Sequence, residues 1–468
     1  MSRQKNTSGG TSGSFAGGAG HISRRTVMSR RRALALLGGA AGAAVGATQA
    51  LAQGGRWWET LPGFGSGGRE RRPAPAAASA EAMELNDLRP TNMPWRSDAM
   101  LEGMDAAIER YERIAAKGGW PRVPKGRLIR LGDDDERVAD LRRMMVLTGD
   151  LKSAEANRYG SNSSFDDGLE VAVKRFQRRH GLRPTGRFDR PTQAQVDVPT
   201  QARLAQLKLN RQRIARLMQI RIEERYVLVN VAAFQLEAVE QWEVQQRHRV
   251  IAGKPDRQTP EIQATIKALN FFPYWRVPKS VATLDLIPRL QKEPEYLEKE
   301  RIKVYEGYLG KELDPRQVDW TTADGNKLWF RQEPGEQNAL GLVRIDMPNS
   351  DIVYMHDTPM KPLFKQSGRA FSAGCVRVEE VFQLVEWIAR YEPGFENKGR
   401  VQAVIEGGQP LDVNLTRPIP VYFTYITAWA ERSGSVEFRP DIYNRDGSKD
   451  LAGENDPDAP PPPRMLAP

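Results

Sequence analysis

Met100, Met104, Ile108, Tyr111 and Ile114 recur at helical spacing ahead of Gly118-Gly119, which predicts a helix stopped by paired glycines in a scaffold segment over 91–127. A second helical unit follows over 128–198. There Val138, Leu141 and Met145 share one face, a polar loop passes through Ser161 to Ser164, and a further helix runs from Leu169 to His180 before Gly181. From 199 to 225 the stripe Leu204, Leu207, Ile214 and Leu217 on a charged background predicts a long connecting helix that packs on a neighbour. At Tyr226 the period changes from helical to alternating. Tyr226 to Val231, Phe234 to Val239, Arg249 to Ile251, Asp351 to His356, Val401 to Ile405 and Pro420 to Ile426 read as strands of a mainly β domain over 226–445. The stretch Trp275 to Leu340 is mixed and charged, and reads as an insertion (275–340) over one end of the sheet. The pattern predicts an α+β multidomain chain.

The two ends carry no such periodicity. Residues 53–90, rich in Gly, Pro, Ala and Arg, read as a flexible linker, and 446–468, with Pro460 to Pro463 in a row, as a disordered tail. At the start, Ser29-Arg30-Arg31-Arg32, the apolar run Ala33 to Val45 and Ala50-Leu51-Ala52 follow the order of an export signal over 1–52. Paired arginines before a weakly hydrophobic run favour the twin-arginine route, and with it a periplasmic location. That segment changes the meaning of the charge. Of the formal +10, seven positive charges lie in residues 1–52 with no Asp or Glu among them, which leaves about +3 for the body and removes the case for a nucleic-acid partner.

The chain has one cysteine, Cys375, which is a small core residue, half of an intermolecular bridge or a reactive thiol. Four scattered histidines and one thiol offer no zinc spacing, so neither a metal nor a cofactor is expected. Ile352 to His356 reads as a strand that delivers a histidine to its end, and fifteen residues separate His356 from Ser372-Ala373-Gly374-Cys375-Val376-Arg377. Val381, Leu384, Val385 and Ile388 then mark a helix, so Cys375 is expected just before a helix N-terminus, where the dipole favours a thiolate. His356 is a base of suitable pKa, and with it the thiol is expected to react well below pH 8.5. Gly374 permits a tight turn whose N–H groups, with that of Cys375, could face an oxyanion. Arg377 could hold a carboxylate.

His356, the spacer and Ser-x-Gly-Cys-x-Arg together resemble the signature of the L,D-transpeptidase (YkuD-like) catalytic domain. Tyr354 to Pro359, Arg369 to Ser372, Arg257 to Pro260, Pro273-Tyr274-Trp275, Asn338 to Gly341 and Asp441-Ile442-Tyr443 are similar to its large YcbB-type branch. Phe165-Asp166, Val173 to Leu182, Thr185-Gly186 and Thr192 resemble a three-helix peptidoglycan-binding domain, in which His180 and Phe176 read as a helix-end and a core residue. The resemblance covers roughly 120–446. It implies Cys375 as nucleophile, His356 as base, and Arg377, Ser372 and Tyr354 around the substrate. It also implies that the insertion is a capping segment and that a backbone carbonyl orients His356. Where many relatives carry a second histidine before the Gly-Cys pair, this chain has Ala373. The implied reaction joins peptidoglycan stem peptides, a donor tetrapeptide and an acceptor diamino acid, into a 3-3 cross-link through a Cys thioester. Hydrolysis by an L,D-carboxypeptidase, lipoprotein attachment and an inactive wall-binding scaffold are the alternatives. Other cell-wall synthesis enzymes are further candidate partners.

Overall fold

The computed structural model describes residues 87–156, 163–221, 223–453 and 466, all within one compact unit. The expected export segment at 1–52 and most of the linker at 53–90 lie outside them.

Helix α1 (Asp98–Ala116) starts where Ser97 Oγ accepts the Met100 N–H, and it buries Met100, Met104, Tyr111 and Ile114. The small helical domain comprises α2 (Val138–Thr148), the single turn α3 (Ser153–Ala156), α4 (Asp167–Arg179) and α5 (Arg190–Val196). Asp166 and Asp189 cap the last two by accepting the Leu169 and Thr192 N–H groups. Its core of Val138, Leu141, Met145, Leu169, Val173 and Phe176 is the periodic set seen in the sequence. Helix α6 (Thr200–Gln219) lies against α1, with Leu207 and Ile214 in the cluster that holds Met100, Met104 and Tyr111.

Four strands follow: β1 (Arg225–Asn230), β2 (Gln235–Glu240), β3 (Glu243–Gly253) and β4 (Gln263–Phe271). The insertion contributes β5 (Trp275–Arg276), α7 (Lys279–Val281), a π turn at Ala282–Leu286, α8 (Ile287–Leu290), α9 (Tyr296–Lys299), β6 (Ile302–Glu306), β7 (Glu312–Leu313) and β8 (Leu328–Gln332). Its strands form their own sheet in the order β5-β8-β6-β7, over a separate core that includes Trp275, Leu286, Tyr296, Val304 and Phe330. The chain then returns as β9 (Val343–Asp346), β10 (Met355–His356), β11 (Ala370–Ser372), β12 (Val376–Val378), α10 (Val381–Ala389), α11 (Arg400–Gly407), β13 (Leu411–Thr424) and the hairpin β14 (Ala428–Ala430) and β15 (Val436–Phe438).

The main sheet has the order β11-β3-β12-β10-β9-β4-β13-β1-β2, and β3 also pairs with β2, so the sheet curls back on itself. Strand alternation divides its two faces. Val343, Ile345, Met355, Val376 and Val378 point into the core shared with Val381, Leu384 and Val385 of α10 and with Val401 and Val404 of α11. A Leu384→Ala cavity there would cost about 2–5 kcal/mol. The alternate residues Arg344, Tyr354, His356, Cys375 and Arg377 fall on the opposite face.

Four expectations are corrected. Val401 to Ile405 is helical: Val401 and Val404, three residues apart, both meet the core, and Gly399 and Gly408 in left-handed conformation bracket the element. Of Asp351 to His356 only Met355–His356 is strand, because the Asn349 side chain accepts the N–H groups of Asp351 and Val353 and holds a loop. Cys375 does not precede a helix: β12 intervenes, and α10 begins at Val381. Residues 446–453 are folded, with Asp446 paired to Arg213, a short 3-10 turn at Lys449–Leu451 and Leu451 buried, while Leu466 packs on the insertion core. Tail composition had hidden these anchors.

Candidate active site

Strands β10 and β12 run parallel with Met355 opposite Val376 and His356 opposite Arg377, and the Val376 N–H donates to the Tyr354 carbonyl at 3.1 Å. Paired residues share a face, so Tyr354, Cys375, His356 and Arg377 form one patch. On the other side of β10, His356 pairs with Arg344 of β9. This face meets a cavity of about 970 Å³ between sheet and insertion. Cys375, Gly374, Ala373, Tyr354 and Arg344 line it from the sheet, and Trp275, Val277 and Trp329 from the insertion. His356 and Arg377 lie behind that wall, both buried.

The turn before Cys375 is braced by two hydroxyls, those of Thr259 and Ser372. Gly374 has φ +126°, a backbone that a side chain would strain. Its carbonyl accepts the Thr259 hydroxyl at 2.8 Å, and the same hydroxyl accepts the Gly253 N–H at 2.8 Å. Ser372 Oγ donates to the Cys375 carbonyl at 2.6 Å and accepts the Gly374 N–H at 3.2 Å. Ser372 is therefore a buried brace off the cavity wall and not a substrate contact. The Gly374 amide, expected to face an oxyanion, is already engaged by it.

His356 donates from Nδ1 to the Asp357 carbonyl at 2.5 Å, which selects the tautomer whose Nε2 is an acceptor; Nε2 has no hydrogen-bond partner among the described residues. The orienting backbone carbonyl is thus that of Asp357. Burial lowers the imidazole to about 3, and the Arg377 charge adds to the shift. Burial also pushes the Cys375 thiol up to about 11, against the opposing effects of Tyr354, Arg377 and Arg344. Arg377 is lowered to about 10 by burial, its Nε meets no acceptor among the described residues, and its charge faces Cys375. It is off the cavity wall, so this geometry couples it to the sulfur and the imidazole more directly than to a bound carboxylate.

Arg344, Asn270 and Thr259 escaped the reading of the sequence as site residues. A signal existed for Arg344: in Val343-Arg344-Ile345-Asp346 two charged residues alternate with two apolar ones, the pattern of a strand with one buried face and one functional face.

Residues 224–407 match the family model described as the L,D-transpeptidase catalytic domain. This part of the chain is an L,D-transpeptidase catalytic domain. Residues 149–196 match the model described as "Putative peptidoglycan binding domain", within the small helical domain. Over 230 residues, 49% of this chain, the sequence is 31% identical to "Putative L,D-transpeptidase" of Haemophilus influenzae. That match covers 46% of the relative, so the chain spans about half the length of the curated relative it matches. Among solved structures, an L,D-transpeptidase from Mycobacterium smegmatis has 13% identity over 43% of this chain and 58% of that one, with a TM-score of 0.22. An L,D-transpeptidase from Stackebrandtia nassauensis has 13% identity over 65% of this chain and 96% of that one, with a TM-score of 0.23. The residues matched to the transpeptidase model supply the cavity wall apart from Pro410, Leu411 and Asp412 at the start of the following strand, and the insertion that roofs it lies inside the match.

Proposed function

We propose that the protein is a peptidoglycan L,D-transpeptidase that forms 3-3 cross-links through a Cys375 thioester. The observation that carries this reading is that the chain's one thiol opens on the cavity of a transpeptidase domain, with a neutral histidine on the adjacent strand. In the first half-reaction Sγ attacks the carbonyl of the donor's third residue as its proton passes to His356 Nε2. The S–C bond forms, the C–N bond to D-alanine breaks, and His356 returns the proton to the leaving amine. In the second, the side-chain amine of an acceptor stem attacks the thioester, its N–C bond forms, the S–C bond breaks and the sulfur is reprotonated. Arg377 stabilises developing charge on sulfur from behind. The Cys375 N–H is the nearest candidate donor to the oxyanion. The insertion excludes water and so favours the amine. The small helical domain binds the wall, and the arginine cluster and apolar run at 1–52 direct export to the periplasm by the twin-arginine route.

Incubation with disaccharide tetrapeptides followed by mass spectrometry of the products tests this. The expected products are 3-3 dimers and free D-alanine, both absent with Cys375→Ala. Tripeptides alone would replace the reading by hydrolysis, tripeptide attached to a protein lysine by lipoprotein anchoring, and no product at all by a wall-binding scaffold.

A further inference from the structure

The cavity carries a polar row that the reaction as written does not use. Asp412 of β13 pairs with Asn270 of β4, Asn270 with Arg344 of β9, and Arg344 with His356 of β10, so the row crosses four strands on the catalytic face. Arg344 Nε donates to Asn270 Oδ1 at 3.0 Å, and Asn270 Nδ2 donates to Asp412 Oδ1 at 2.6 Å. The amide therefore uses both its ends, its oxygen on the guanidinium and its nitrogen on the carboxylate, and fixes the spacing between them. Asp346 holds Arg344 Nη2 at 3.3 Å, and the guanidinium lies 5.6 Å from the centroid of the Tyr354 ring, beside Cys375. Nη1 of Arg344 and Oδ2 of Asp412 have no partner among the described residues, and Asn270, Arg344 and Asp412 all line the cavity. A fixed positive and a fixed negative group, one amide apart, complement a zwitterion.

We propose that Arg344, Asn270 and Asp412 form a receptor for the amino-acid end of the donor's third side chain, Arg344 taking its carboxylate and Asp412 its ammonium. This rests on the proposed function and narrows it: the donor's third residue is a diamino acid whose side chain ends in a second amino-acid centre, as in diaminopimelate, and not in a bare amine, as in lysine. The assignment to donor and not acceptor follows from Asp412. An ammonium paired with a carboxylate stays protonated and non-nucleophilic, which suits the donor's spectator amine and would disable an acceptor's. Asn270 is a positioning residue, since it fixes the spacing of the two charged groups without itself carrying charge.

The test compares acylation of the full-length protein by two tetrapeptides, identical except for diaminopimelate or lysine at the third position, with the covalent adduct followed by intact mass. The parent should prefer the diaminopimelate donor. In Arg344→Gln the ratio of the two donors' kcat/KM should fall about 10- to 100-fold, the effect of one charge-assisted bidentate pair, and chiefly through KM. Asp412→Asn should lower the same ratio, and Asn270→Asp, which cannot donate to Asp412, should lower it as well. A parent that takes both donors equally, or an Arg344→Gln protein that loses both in the same proportion, overturns the receptor and leaves the transpeptidase reading standing. A parent acylated by neither peptide overturns both.

Discussion

Cys375 and His356 are each held in the neutral form, the thiol pushed up to about 11 and the imidazole down to about 3, with burial the largest cause of both shifts. The expectation of a thiolate reactive well below pH 8.5 rested on a helix N-terminus beside the sulfur, and β12 takes that place. The sulfur is instead activated only as its proton leaves, so proton transfer and attack belong to one event. Acylation of the free enzyme should therefore run on a broad plateau between these two values. The rate should fall as acid protonates His356, and no inflection should appear near 6.5. A rate profile with a step near 6.5 would mean that the imidazole titrates as it does in water and is not held neutral by burial. Alkylation by iodoacetamide, which needs the thiolate, should in contrast keep rising into strongly alkaline solution.

At the scale of elements, the nucleophile is placed by segments far apart in the chain. Thr259 bridges the end of β3 to the turn before β12, and Tyr443, from beyond β15, donates its hydroxyl to the Gly253 carbonyl at 2.6 Å and accepts the Thr259 N–H at 3.2 Å. Thr259→Val keeps the shape and removes both hydroxyl bonds, leaving the Gly253 N–H and the Gly374 carbonyl buried without partners. Denaturant unfolding should show a loss of about 1–3 kcal/mol. Acylation should slow about 10- to 100-fold as the sulfur drifts from its line of attack. Unchanged acylation with lowered stability would make Thr259 a fold residue only.

Across the whole molecule, buried neutral histidines tie elements together. His180 closes α4, donates from Nδ1 to the Phe176 carbonyl at 2.7 Å and stacks on Phe438 of β15 with ring centroids 5.5 Å apart. Beside it Arg179, held within the helical domain by its ion pair with Asp150, donates to the Val436 carbonyl and docks that domain on the hairpin. His248 of β3 donates from Nδ1 to the Glu379 carbonyl at 2.9 Å, and burial lowers it to about 4. A histidine whose folded pKa lies below its unfolded value contributes fully above the unfolded pKa, and that contribution is lost as pH falls toward the folded one. The parent should thus lose stability between about pH 6.5 and 4, and His248→Gln should lose roughly 2–3 kcal/mol less over the same window. Equal losses in the two proteins would show that His248 is not held neutral.

Local pattern determined the elements that one stretch of chain can specify. The helical period of α1, α4 and α6 and the alternation of β1 and β2 follow from which side chains must leave water, and the spacing from His356 to Gly374-Cys375 marked the candidate pair. Ambiguity remained where an apolar run was short: Val401 to Ile405 suits a strand or a helix until α10 is present to receive one face. What only the tertiary structure decided was the environment of the site. Ionisation depends on burial, and burial comes from the roof of the insertion and the core beneath, neither of which is local to Cys375 or His356. In the same way Arg344, Asn270 and Asp412 lie 74 and 142 positions apart along the chain, counted from Asn270, and become one row only when β9, β4 and β13 pair in register.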